Sequence, residues 1–386
     1  LRARSDVGAR RMATRSRATL SVAVSWFLWG IGYYAYFAYL SPYMALFVRP
    51  QAISQVYLLA GLAAIAYPAA GLITYRRFGA RASISAWMAV AGLAISLMGL
   101  ADGFPQFALL LSLNQAFYAA LPSYYASLAA EEASYIPMVW ALSVSPSLFM
   151  PALGGLLASR LGFAALFALS GALVASSLVP VALASGLRAE EGSASARGWA
   201  IAIPAMVPVA LESPYVFLVL ERAYSLSSAQ LGLVASAGEA VGMIAALALS
   251  RARWGISAAL AGFSLTALLP LSWAFGIAFG FWEAIIPLSI AFVSHISGRP
   301  GVKFYTYLAT LQALTFLMGY AASAAVASID YMSIPEFGGA LAAALSAAYA
   351  LLTASGGRGH HAEAASARAA GHHILGATRS SRRTPP

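Results

Sequence analysis

Ser41-Pro42-Tyr43-Met44-Ala45-Leu46-Phe47-Val48 opens a segment that runs through apolar residues to Arg77-Phe78-Gly79, and the chain then repeats it. Ser213-Pro214-Tyr215-Val216-Phe217-Leu218-Val219-Leu220 leads through a second apolar segment to Arg253-Trp254-Gly255. The offset is 172 residues between the Ser-Pro-Tyr triplets and 176 between the basic loops. Gly103-Phe104-Pro105-Gln106 against Gly280-Phe281-Trp282-Glu283 is a third echo, at 177. A repeat of this length in so apolar a chain reads as two related halves, each a bundle of membrane helices.

Composition points the same way. The 386 residues are 61% hydrophobic and 9% charged, where a soluble domain carries about 25% charge. Apolar runs recur from end to end, each long enough for a hydrocarbon core of roughly 30 Å. Twelve spans are predicted, at 19–48, 53–75, 83–101, 104–129, 135–158, 163–187, 199–221, 228–250, 256–275, 278–295, 304–327 and 337–354. The fold class is therefore all-α integral membrane, with twelve transmembrane helices in two pseudo-symmetric six-helix bundles. Residues 1–18 read as a disordered basic tail, 19–187 as the first bundle and 188–198 as a cytoplasmic linker. The second bundle is 199–354, and 355–386, rich in Gly, Ser, His and Arg, reads as a disordered tail.

The net charge of +10 does not signal nucleic acid, because the basic residues lie in short segments between spans. With twelve spans, 20 of the 23 Lys and Arg residues fall on one side, together with both termini, and only Arg49, Arg160 and Arg222 fall on the other. Such an asymmetry puts both termini in the cytoplasm of a plasma (inner) membrane, multi-pass. The absence of cysteine excludes disulfides and thiolate chemistry. The basic N-terminal stretch runs into about 30 apolar residues, too long for a signal-peptide core. Met12 and Leu1 both stand open as the start.

Three local features carry a resemblance. Arg77-Phe78-Gly79-Ala80-Arg81, with Arg76 before it, follows the second span. Pro151-Ala152-Leu153-Gly154-Gly155 lies in the fifth, and Leu161-Gly162-Phe163 follows it. Arg251-Ala252-Arg253-Trp254-Gly255 repeats the basic loop in the second half. With the spans and the repeat, the chain resembles the major facilitator superfamily over essentially its whole hydrophobic length. That family's loop between helices 2 and 3 reads Gly-x-x-x-Asp-Arg-x-Gly-x-Arg, and its helix 5 often reads Gly-Pro-x-x-Gly-Gly. The present chain departs from both, with Arg76 at the acidic position and Met150 at the first Gly of the second motif. The resemblance implies a monomeric secondary transporter whose halves rock about a central site, with Arg76, Arg77, Gly79, Arg81, Arg251, Arg253 and Gly255 in gating loops.

Chemistry inside the spans rests on few residues. Glu212, Glu239 and Glu283 are the carboxyl groups there, and an ionised acid at the bilayer centre costs about 2.5–3.5 kcal/mol on insertion scales. Each therefore faces a cavity, finds a partner or keeps its proton, and the three are candidate proton carriers. Glu283, within about two turns of a span end, is the least suited to a relay. No Lys or Arg lies deep in a span, which argues against an anionic substrate. Trp29, Tyr33 and Tyr36 share one face of span 1, and Asn114 and Tyr118 one face of span 4. With Gln312 they are candidate substrate contacts, against the alternative of lipid-facing or helix-packing side chains. Pro151, Gly154 and Gly155 are the best case for a functional bend. No metal site, cofactor motif, Walker A loop or hydrolase motif is present in the sequence.

The sequence thus predicts a non-enzymatic secondary transporter, with a small-molecule substrate, protons and the lipid bilayer as its partners. Proton-coupled efflux of amphipathic cationic or neutral molecules is the first expectation. Proton-coupled uptake of a sugar or other neutral metabolite is the alternative, with a transporter-like sensor or an integral-membrane enzyme as rivals.

Overall fold

The computed structural model describes residues 2–130, 135–184, 187, 189–192, 203–250, 252, 254–271, 274–296 and 301–354. Among them every regular element is a helix. The order is α1 Arg2–Tyr36, α2 Leu40–Met44, α3 Ile53–Met98, α4 Phe104–Asn114, α5 Phe117–Ala129, α6 Tyr135–Val144, α7 Met150–Ser176 and α8 Leu178–Leu183. Then come α9 Val207–Glu212, α10 Val216–Tyr224, α11 Ser228–Leu249, α12 Gly255–Phe263, α13 Phe275–Phe279, α14 Trp282–Ile296, α15 Val302–Asp330 and a last helix, α16, over 334–354.

Seven stretches of the described residues are long and apolar enough to cross a membrane. Three of them are doubled back. The 46 residues of α3 would extend about 69 Å as a straight rod, more than twice the hydrocarbon core. Instead the chain reverses at Gly79, with φ 83° and ψ 173°. Ser83 Oγ donates to Gly71 O at 3.2 Å and Trp87 Nε1 to Thr74 Oγ1 at 3.3 Å. In a straight helix residues 12 or 13 apart lie about 18 Å apart, so these contacts require the reversal. Only glycine adopts that backbone readily.

The same solution recurs in α7, where Gly162 has φ 83° and ψ 167°. Arg77-Phe78-Gly79 and Arg160-Leu161-Gly162 are thus two sequence-related turns with one geometry. Gly255, in the second copy of the basic loop, is different. It opens α12 without a positive φ, and a Cβ there would stand 2.6 Å from Leu249 O. One glycine is required for its dihedral angle, the other for a close approach. The third long stretch turns at Asp330, whose carboxylate accepts from Met332 N at 3.0 Å before α16 begins.

Several predicted spans are interrupted. Residues 104–129 form two helices, joined by the tightened turn at Gln115-Ala116. The 199–221 span breaks between Glu212 and Val216, around Pro214, which has no N–H to continue the ladder. Pro146 lies in a 3-10 turn, Ser145–Leu148, before α7. At the start of the chain, helix α1 runs from Arg2 through the stretch predicted to be disordered, a stretch rich in the strong helix formers Ala and Arg. The 355–386 tail and most of the predicted linker lie outside the described residues.

The chain's first and second halves meet along two seams. The 53–75 arm of α3 packs on α15, with Tyr57 against Tyr320 at 5.4 Å between ring centroids. The first arm of α7 packs on α11, where a Cβ on Gly155 would lie 2.4 Å from Ser228 O. The candidate functional site lies between these seams.

Candidate functional site

Two glycine pairs bring two acids together. Gly238 and Gly242 on α11 face Gly276 and Gly280 at α13. A Cβ on Gly242 would sit 1.9 Å from Gly280 O, and one on Gly280 1.8 Å from Gly238 O. The backbones therefore touch, as small-residue stripes allow in membranes. Glu239 follows Gly238 and Glu283 begins the next turn after Gly280, so the crossing places their carboxyl groups side by side. Both residues are 1% exposed.

One oxygen of each acid is partnered. Trp282 Nε1 donates to Glu239 Oε1 at 2.9 Å, and the Tyr34 hydroxyl, from α1, donates to Glu283 Oε1. The second oxygen of each has no hydrogen-bond partner. Among the residues whose burial is described, no Lys, Arg or His is buried to neutralise the pair. Two adjacent carboxylates in so apolar a setting repel each other and lose their hydration.

Beside this pair lies a cavity of about 160 Å³. All six sequence-predicted contacts, Trp29, Tyr33, Tyr36, Asn114, Tyr118 and Gln312, line it. Trp29, Tyr33 and Phe37 form a ladder of near-parallel rings, at 4.9 Å and 10° for the first step and 5.6 Å and 17° for the second. They recur every four residues, Trp29 and Tyr33 on α1 and Phe37 at the start of the 3-10 turn that follows it. Asn114 Nδ2 donates to the Tyr36 hydroxyl at 3.1 Å. Gln115, Ser143, Ser213, Phe217 and Tyr320 complete much of the wall. Among the described residues, no charged side chain lines the cavity. Glu239 and Glu283 stand behind it, screened by Tyr34, Trp140 and Trp282, which do line it.

Glu212 is elsewhere. It is fully buried, accepts from Thr266 Oγ1 at 2.7 Å, and is pressed against Gly338. It does not line the cavity. Pro151, Gly154 and Gly155 make a crossing point. A Cβ on Gly154 would meet Ala35 O at 2.0 Å, and the Tyr39 hydroxyl donates to Pro151 O and, at 3.2 Å, to Ser228 O.

At the end of the molecule bearing the α3 turn, a short strap joins the halves. Arg76 donates to Glu191 Oε1 through Nε at 3.1 Å and Nη2 at 2.5 Å, and Lys303 Nζ lies 3.1 Å from the same oxygen. Backbone bonds hold the strap from both sides. Val302 N donates to Glu190 O at 2.8 Å, Lys303 N to Glu191 O at 3.1 Å, and the Tyr75 hydroxyl to Ala189 O at 2.7 Å. The Arg76 guanidinium, then the Lys303 ammonium, hold the Glu191 carboxyl below its usual range. Arg77 lies over the Phe78 ring at 5.2 Å, and Arg81 reaches Ala182 O at 3.5 Å. Arg251 and Arg253 lie outside the described residues.

No protein-family model matches the chain, and no curated protein sequence matches it. Solved structures do. The nucleoside transporter NupG superposes with a TM-score of 0.62 at 13% identity, over 86% of this chain and 98% of that one. A point mutant of NupG gives 0.62 at 12% identity, over 86% and 99%. The human organic anion transporter MFSD10 (TETRAN) gives 0.60 at 13% identity, over 88% and 98%. These are major facilitator transporters, and the chain has their fold.

Proposed function

We propose that this protein is a secondary transporter that carries a small, uncharged, polar ring compound of the nucleoside or sugar class, together with protons, by alternating access. The observation that carries this reading is the division of labour at the site. Every polar group lining the cavity is neutral, while the acid pair stands one side-chain layer behind. Three amides and several tyrosines can exchange hydrogen bonds with hydroxyls, and the ring ladder can stack on a flat solute. Solute and proton then occupy different places and can be bound together, which favours cotransport over exchange.

The likeness to NupG, a nucleoside transporter, agrees with that solute class. The organic anions of the MFSD10 description find no cationic side chain here. Twelve crossings, two six-helix halves at 19–187 and 199–354, cytoplasmic termini and a monomer in the plasma membrane belong to the same reading, supported by the 20-to-3 split of basic residues. Export of amphipathic cations in exchange for protons is the second reading, favoured by the Trp29–Tyr33–Phe37 rings through cation–π contact.

The test is uptake into proteoliposomes under an imposed pH gradient, with radiolabelled uridine, adenosine, glucose and tetraphenylphosphonium. Accumulation of a neutral solute on the alkaline side supports the proposal. Accumulation of tetraphenylphosphonium on the acidic side supports the second reading instead.

A further inference from the structure

We infer that Tyr34 is the proton relay between the cavity and the acid pair, a role that rests on the proposed proton coupling at Glu239 and Glu283. Three side chains separate the cavity from these acids: Tyr34, Trp140 and Trp282. Their chemistry differs. An indole N–H donates and has no lone pair to accept a proton, so Trp140 and Trp282 can steady a carboxylate but cannot pass a proton on. A phenol hydroxyl both donates and accepts. Of the three, Tyr34 alone can take a proton on its cavity side while giving one up on the other.

The geometry fits that role. The Tyr34 hydroxyl donates directly to Glu283 Oε1. Its ring is held edge-on by Tyr33, at 5.1 Å and 82°, and by Phe37, at 5.5 Å and 86°, so the hydroxyl is aimed. Tyr33 and Phe37 belong to the ring ladder that would contact the solute. The aim of the relay therefore depends on the side chains that sense occupancy. Tyr34 lies on α1 and Glu283 on α14, in opposite halves of the chain. The relay exists only while the halves hold this arrangement and is broken when they part.

The step balances as follows. A hydronium ion of cavity water gives a proton to Tyr34 Oη as the phenol proton passes to Glu283 Oε1. The O–H bond of the phenol is broken and remade, water is left in the cavity, and the carboxylate becomes a carboxylic acid. No tyrosinate accumulates. The titratable groups around Tyr34 are Glu283, Glu239 and Tyr33.

The experiment needs no transported solute. The full-length purified protein is subjected to an acid pH jump, and carboxyl protonation is followed by time-resolved infrared difference spectroscopy in the C=O stretch of protonated acids. Wild type, Tyr34→Phe, Tyr34→His, Trp282→Phe and the double variant Glu239→Gln/Glu283→Gln are compared, each first shown to be monodisperse and helical. The part of the wild-type band that the double variant lacks is the signal of the pair, since eleven other acidic side chains remain in that variant. Tyr34→Phe should reach the wild-type amplitude about a hundredfold more slowly, the scale of a lost acid–base group. Tyr34→His, which can also accept and donate, should recover most of the rate, and Trp282→Phe should keep it. A wild-type rate in Tyr34→Phe, or equal slowing in Trp282→Phe, overturns the relay and leaves the acid pair standing. A double variant whose band equals the wild-type band overturns the acid pair itself, and the relay with it.

Discussion

Arg76 and Glu191 are joined across 115 residues of sequence by a two-pronged contact, Nε and Nη2 both donating to Oε1 at 3.1 and 2.5 Å. The side chains are about half exposed, so the contact adds little to global stability. Its place matters more. With Lys303 it ties both halves of the chain to the segment that connects them. The sequence has an arginine where the resembled family has an acid, and the acid is supplied from the 189–192 segment instead.

Breaking this tie should open that end of the molecule. The chain has no cysteine, so Ser127→Cys, buried on α5, gives a single reporter. Its labelling by a water-soluble maleimide should accelerate several-fold in Glu191→Gln and in Arg76→Glu. The exchange Arg76→Glu/Glu191→Arg should return it toward the starting rate. Unchanged labelling in the single variants would show that the strap is not a gate.

The pH response of the strap has a definite sign. The Glu191 carboxyl is held below its ordinary range, chiefly by hydrogen bonding to Arg76. Its contribution is fully present above the free carboxylate's range and is lost as pH falls through the lowered value. Between about pH 5 and pH 8 the strap therefore stays ion-paired. Labelling of Ser127→Cys, corrected for thiolate reactivity, should be flat across that window and rise only in stronger acid.

Two kinds of glycine should fail for different reasons. Gly242→Ala puts a methyl group against the Gly280 carbonyl and should cost about 1–3 kcal/mol by overpacking, while spreading Glu239 from Glu283. Gly79→Ala meets nothing within 4 Å, yet its φ of 83° should cost about 1–3 kcal/mol in backbone strain alone. Thermal unfolding in detergent should detect both. Only Gly242→Ala should also alter the infrared signature of the acids.

The ring ladder should set solute affinity. Tyr33 stacks on Trp29 and Phe37. Tyr33→Leu should raise the KM of the transported solute up to about tenfold, the worth of an aromatic stack of about 0.5–1.5 kcal/mol. The proton-to-solute ratio should not change.

The cavity wall was more legible in sequence than the acids were. Helical spacing grouped Trp29, Tyr33 and Tyr36, and Asn114 with Tyr118, because a four-residue repeat survives folding as a shared face. Position along the span makes Glu283 the least suited of the three acids to a relay, yet it does not show what stands beside it. Depth along one helix says nothing about its neighbours, and its partner Glu239 is brought beside it by a crossing that neither helix reveals alone. The signal was present as Gly238-x-x-x-Gly242 and Gly276-x-x-x-Gly280, two small-residue stripes, each with an acid close by. Tyr34 and Trp140 are not singled out by the sequence, because the acid beside them lies in the opposite half of the chain. The helix breaks at Gln115-Ala116 and Pro214 were hidden by continuous hydropathy, which records burial and not backbone geometry.

Solute flux and proton flux recorded together in one proteoliposome preparation test the account most directly. Vesicles holding a trapped pH dye are given the neutral solute that the uptake panel identifies, with wild type, Glu212→Gln and Glu239→Gln/Glu283→Gln side by side. Wild type and Glu212→Gln, whose acid lies away from the cavity, should move protons in the same direction as the solute. The Glu239/Glu283 double variant should exchange solute across the membrane without moving protons. Proton movement that persists in the double variant, or vanishes in Glu212→Gln alone, would contradict the assignment of coupling to the buried pair.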